Sequence, residues 1–173
     1  MRALLAVHVG ISLMGIASGF VVAYGFAAAR RLDRWAALFL ATTIATSVTG
    51  FPLPADHILP SHVVGVISLI VLGVAVYARY TRRLRGGWRT AYVVSSIAAL
   101  YLNVFVGVVQ AFRHVPVLHA LAPTESELPF VVAQSATLVA FVALGRACVI
   151  GFRRQGSGGP PTAGVSRLPS VPA

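Results

Sequence analysis

The stretch "VISLIVLGVAVYARY" (residues 66–80) decides the fold class, because it carries no charge before Arg79 and no regular alternation of apolar and polar residues. A membrane-spanning strand alternates the two over about ten residues. In lipid, every backbone N–H and C=O must be satisfied within its own segment, so an unbroken apolar run of this kind predicts a helix. Four further apolar runs flank it, and the set is 3–29, 35–51, 63–79, 91–112 and 129–152. About 20 apolar residues cross a hydrocarbon core of about 30 Å. The pattern predicts an all-α integral membrane bundle of five transmembrane helices within a single domain, residues 1–154. The remaining stretch, "QGSGGPPTAGVSRLPSVPA" (155–173), is rich in Gly, Pro and Ser and is expected to form a disordered cytoplasmic tail.

Composition supports the same reading. The chain has 173 residues, 57% hydrophobic and only 10% charged, with a mean hydropathy of +0.83. Soluble domains carry about 25% charged residues, so most of this surface is expected to face lipid. All 14 basic residues are arginine, against 4 acidic residues, for a net charge of +10. Nucleic acid is excluded as a partner by distribution, because the arginines lie in short clusters between apolar runs. The single Cys148 can form neither an internal disulfide nor a CxxC metal site.

The arginines also predict a threading. Arg30, Arg31 and Arg34 follow the first run; Arg79 ends the third, with Arg82, Arg83, Arg85 and Arg89 after it; Arg146 lies near the end of the last, with Arg153, Arg154 and Arg167 beyond it. Only Arg2 and Arg113 lie at the opposite end. Basic connections stay in the cytoplasm, which places the N-terminus outside and the C-terminus inside. Trp35, Trp88, Tyr77, Tyr80 and Tyr92 fall at the inner edge, where amphipathic rings anchor. Ala27-Ala28-Ala29 resembles a signal-peptide cleavage site, but the preceding apolar run far exceeds the roughly 7–15 residues of a signal sequence. A permanent first helix is expected.

With this threading, the histidines gather on the outer face. His57 and His62 lie in "FPLPADHILPSH" (51–62), His114 and His119 in "FRHVPVLHALAPTESE" (112–127), and His8 about two turns into the first helix. Asp56, Glu125 and Glu127 lie beside them. Imidazole and carboxylate suit zinc or copper, and facing imidazoles suit haem; histidine is also a pH sensor near neutrality. Spacing argues against simple chelation, since partners five apart are about 140° apart around a helix. The alternative is structural. Thr124 and Glu127 match a capping box for the last helix, and Pro116 suits the first turn of a short interfacial helix.

Inside the spans, Asn103 and Gln110 are seven apart on one helical face with Gly107, and Gln134 is expected at a similar depth to Gln110. "ATTIATSVTG" (41–50) supplies hydroxyls, and "GIASG" (15–19) is a small-xxx-small motif. These are the materials of interhelical contact, or of a path for a polar substrate or water. No charge is expected deep in the membrane, which argues against an ion-coupled pump.

The segments "GFVVAYGFAAARRLDRWAALFLATTIATSVTGFPLP" (19–54), "ALYLNVFVGVVQAF" (99–112) and "LHALAPTESELPF" (118–130) together resemble a group of small multi-pass bacterial inner-membrane proteins. The resemblance spans most of residues 3–150 and implies a bacterial cytoplasmic membrane, but carries no activity across. No nucleophile–base pair, phosphate loop or close ligand spacing is present. The expected function is a non-enzymatic accessory or structural membrane subunit, without a cofactor, whose partners are the lipid bilayer and other membrane proteins or a second copy. The alternatives are a redox protein holding haem, copper or zinc on its outer-face histidines, and a small transporter or channel-like bundle.

Overall fold

The structure, a computed structural model, describes residues 2–50 and 60–157, with side chains for 4–50 and 63–154. It contains α1 (Arg2–Ala27), α2 (Asp33–Gly50), α3 (Pro60–Val76), α4 (Trp88–His114), a short α5 (Pro116–Leu121) and α6 (Leu128–Ser157). A single π-helical turn, Tyr77–Thr81, continues α3. The described residues include no strand. Each apolar run is therefore a helix, and α6 extends into the expected tail as far as Ser157. The rest of that tail lies outside the described residues.

Among the described residues, four helical stretches are long and apolar enough to cross a membrane: Leu4–Ala27, Val63–Thr81, Trp88–His114 and Leu128–Arg154. Helix α2 is not among them on composition. Asp33 and Arg34 occupy its first turn, and Thr42, Thr43, Thr46, Ser47 and Thr49 dilute the rest.

Contacts fix the directions. Phe20 meets Phe141, Cys148 Sγ donates to the Ala23 carbonyl, and Phe26 meets Phe152, so α1 and α6 run parallel. Between α1 and α2 the paired residues are His8 with Thr49 and Ser12 with Thr46, which makes them antiparallel. Helix α4 opposes both α1 and α6, with Tyr92 against Phe26 and Phe130 against Phe112. All the apolar helices therefore alternate in direction along the chain. One end of the bundle gathers the arginine-rich segments around residues 30–34, 79–89 and 153; the other gathers His8, Gly50 and the α4–α6 connection.

The core is densest at the arginine end. Phe26, Tyr92 and Phe152 form an aromatic triangle with centroid separations of 5.1, 5.4 and 6.3 Å. Tyr92 is only 1% exposed, so it is a core residue and not the interfacial anchor its position predicted. Its phenolic oxygen finds a partner in Arg79, as buried tyrosines require. Large apolar side chains such as Leu13, Ile70 and Val139 remain exposed on the outer faces, as expected where the surrounding solvent is hydrocarbon.

Two glycines set how closely the helices approach. A Cβ on Gly19 would lie 2.5 Å from a Leu100 methyl and 2.9 Å from the Phe39 ring; one on Gly151 would collide with the carbonyl groups of Phe26 and Ala27.

Candidate functional site

The most polar part of the interior is a seam between α1 and α2. His8 Nδ1 lies 2.9 Å from Thr49 Oγ1, and one turn deeper Ser12 Oγ donates to Thr46 Oγ1 at 3.4 Å. One turn further, a Cβ on Gly15 would lie 3.1 Å from Asn103 Nδ2 and 3.3 Å from the hydroxyls of Thr42 and Thr43. His8, Ser12, Gly15 and Gly19 repeat at helical spacing, as do Thr42, Thr46 and Thr49, so each set forms one face of its helix. The hydroxyls also bond backward along their helices: Thr49 donates to Ala45 O at 2.7 Å and Thr42 to Leu38 O at 2.7 Å. Ser47 extends the network to Ser68 on α3 at 3.2 Å.

Two polar atoms beside Gly15 have no hydrogen-bond partner: Asn103 Nδ2 and Thr43 Oγ1. The expected line of intramembrane amides is divided. Asn103 turns toward α1 and α2, Gln110 is exposed, and Gln134 Nε2 donates to the Phe105 carbonyl at 3.2 Å on the α4–α6 side. Gln134 Oε1 is buried without a partner. A separation of seven residues drifts by about 20° on a straight helix, and α4 is wedged between different neighbours at each level.

Glu125 and Glu127 hold the α4–α6 connection. Glu125, at a left-handed φ of 60°, forms a two-pronged pair with Arg113, one contact through Nε and the other from Nη2 at 3.2 Å. Glu127 Oε1 accepts from Thr124 N at 3.1 Å and Thr124 Oγ1 at 2.9 Å, and Oε2 accepts from Ser126 N at 3.1 Å. Thr124 and Glu127 do pair, but not as a capping box at the first turn. The Glu127 carbonyl already accepts from Phe130 N and Val131 N, so Glu127 itself stands at the helix start. Partial desolvation pushes the Glu127 carboxyl up, yet the Thr124 hydroxyl and the surrounding backbone N–H groups outweigh it and hold the group below its ordinary value.

His114 ends α4 and His119 lies on α5, both exposed. Asp56, His57 and the side chain of His62 lie outside the described residues. Among the described residues, no three of His, Cys, Asp and Glu converge as metal ligands. No family model, curated protein or solved structure matches this chain.

At the opposite end, Arg79 clasps three elements, which its reading as a topogenic charge did not anticipate. Its guanidinium donates to Asp33 Oδ1 at 2.7 Å on α2 and to Tyr92 Oη at 3.0 Å on α4. Its carbon lies 5.5 Å from the ring centroids of both Tyr80 and Tyr92. Arg89 similarly reaches the Phe152 carbonyl at 2.9 Å and sits over that ring. Both arginines therefore tie helix ends together. The signal available in the sequence was the nearby aromatic content, but the carboxylate partner lies 46 residues away.

Proposed function

We propose that this chain is a non-enzymatic accessory subunit of a bacterial cytoplasmic membrane, built from five transmembrane helices and working through helix contacts. The observation that carries the reading is the seam: three separate pairs, His8 with Thr49, Ser12 with Thr46 and Ser47 with Ser68, bond across helix interfaces. Interhelical bonds of this type contribute about 0.6–2 kcal/mol each, and here they serve cohesion.

Helix α2 is the proposed fifth span. Its 18 residues rise about 27 Å and lie antiparallel beside α1 over the same depth, from Thr49 opposite His8 to Phe39 opposite Gly19. Its charges sit at one end, where Asp33 meets Arg79. The concentration of arginine at that end supports a cytoplasmic location for it, with the N-terminus outside and the C-terminus inside. Reporter fusions at the two termini should report opposite sides; the same side would overturn the threading.

Purification in mild detergent followed by native mass determination tests the role. The expected result is a stoichiometric complex with a different membrane protein. A chain that purifies alone and drives solute flux in proteoliposomes would overturn it. That second outcome corresponds to a small channel-like bundle, a reading favoured by the unpartnered Asn103 and Thr43 atoms beside Gly15. Replacing Asn103 with leucine discriminates the two: cohesion is retained or improved under the first reading, and flux is lost under the second.

A further inference from the structure

We propose that the turn joining α3 to α4 binds the phosphate of an anionic phospholipid headgroup. Arg82, Arg83 and Arg85 are exposed there and, with Gly86, Gly87 and Trp88, line an open basin of about 590 Å³. Guanidinium forks match the oxygens of a phosphate.

Among the described residues, no carboxylate offsets the charge of this basin. The chain has four carboxylates. Asp33 is engaged by Arg79 and Arg31, Glu125 by Arg113, and Glu127 by its own turn at the far end; Asp56 lies outside the described residues. Among the described residues, Arg82, Arg83 and Arg85 have no carboxylate partner.

The turn is also preformed. Arg82 N bonds to Tyr77 O and Leu84 N to Ala78 O, both at 3.0 Å, while Arg85 N returns to Arg82 O at 3.1 Å. Leu84, at a left-handed φ of 57° and only 8% exposed, plugs the turn into the core and leaves the flanking guanidiniums outward. Nothing lies within 4 Å of where a Cβ on Gly86 or Gly87 would project, so the backbone there is open to a bulky headgroup.

Position selects a lipid over a soluble anion. The basin lies between the ends of two membrane-length helices, at Thr81 and Trp88. Arg82 sits 5.2 Å over the Trp88 ring, and that ring meets the half-exposed Tyr77 edge-on at 5.2 Å. Ile70, Val74 and Tyr77 are exposed and share one face of α3 by their spacing, forming an apolar track that leads from the basin toward the hydrocarbon. Headgroup, interfacial rings and acyl-chain track are therefore in register.

The test is retention of phosphatidylglycerol by the purified full chain in mixed phosphatidylglycerol–phosphatidylcholine nanodiscs, read by native mass spectrometry and lipid titration. Each Arg→Gln change at 82, 83 or 85 should weaken retention about fivefold, and the triple variant about a hundredfold. The triple Arg30→Gln/Arg31→Gln/Arg34→Gln variant should change it little. Equal losses in the two triples would reduce the effect to diffuse surface charge and overturn the site. Retention unchanged in the first triple, with helicity and melting intact, would also overturn it. If that triple fails to fold, Arg83→Gln alone carries the test, and an unchanged affinity there overturns the proposal. Millimolar inorganic phosphate should leave the lipid bound; displacement would assign the basin to a soluble anion instead.

Discussion

Gly151→Ala tests a close backbone approach between α6 and α1. The added Cβ would press hardest against the Ala27 carbonyl oxygen, and would lie 2.5 Å from the Phe26 oxygen and 2.8 Å from the Ala27 carbonyl carbon. Real Cβ contacts essentially never drop below 3.0 Å, and these neighbours are main-chain atoms that no rotamer change can move. Relief at Phe26 alone requires α6 to retreat about 0.5 Å, the gap between 2.5 and 3.0 Å, and Ala27 demands more. That retreat loosens the Cys148–Ala23 hydrogen bond and the 5.1 Å Phe26–Phe152 contact together. Overpacking in a close-packed interior costs about 1–3 kcal/mol, and rigid backbone on both sides places this case toward the upper end. Gly→Ala in a helix returns up to about 1 kcal/mol, which leaves a net loss of about 2 kcal/mol, roughly 30-fold in the unfolding equilibrium. The control is Gly73→Ala on α3, where nothing lies within 4 Å of the new methyl. That variant should be neutral or slightly stabilised. Both can be followed by sodium dodecyl sulfate titration in mixed micelles, with circular dichroism and Trp88 fluorescence as probes. Equal unfolding midpoints for the two alanine variants would refute the packing argument.

Thr49→Val removes the interhelical partner of His8 while keeping the side chain's shape, and should destabilise the bundle by about 0.6 kcal/mol in the same titration. Arg79→Met should cost about 1–3 kcal/mol, because it strands the buried Tyr92 hydroxyl as well as releasing Asp33; Asp33→Asn should cost less, since that carboxylate is 59% exposed. A thermal-melt comparison that ranks Asp33→Asn as the worse variant would contradict the clasp. The depressed pKa of Glu127 means that its contribution is complete above the ordinary value of 4.5 and is lost as pH falls below it toward the folded-state value. Hydrogen-exchange protection at the Thr124 and Ser126 amides, taken relative to the intrinsic rate at each pH, should fall over that acidic window, and Glu127→Gln should remove that fall.

The helices were legible because lipid imposes a length and an apolar composition that water does not. Their partners were legible only in part. The hydroxyl ladder on α2 and the Gly15–Gly19 motif showed that some close contact existed, yet neither says which helix it meets. In hydrocarbon there is little apolar driving force between helices, so pairing rests on small differences in packing and polar bonding. Asn103 and Gln110 illustrate the limit: their spacing suggested one face, but α4 turns one toward α1 and α2 and leaves the other exposed. Helix α2 shows the converse problem. Its hydroxyl side chains lower its apolar character while making helix contacts, Thr46 with Ser12 on α1 and Ser47 with Ser68 on α3. Arg79 read as a marker of sidedness, and only the fold joined it to Asp33 and Tyr92. Glu125 and Glu127 were open to a ligand reading and a structural one, and both brace the α4–α6 connection.

The parallel pairing of α1 with α6 has a consequence for biogenesis. Ala23 and Cys148 touch across 125 residues of chain, and at about 5–20 residues per second the ribosome needs on the order of ten seconds to make the second after the first. Throughout that interval the groove of α1 that will receive Gly151 stands open to lipid or to the insertion machinery. The α1–α6 contact can close only after α6 has been delivered, so this part of the assembly waits on that helix.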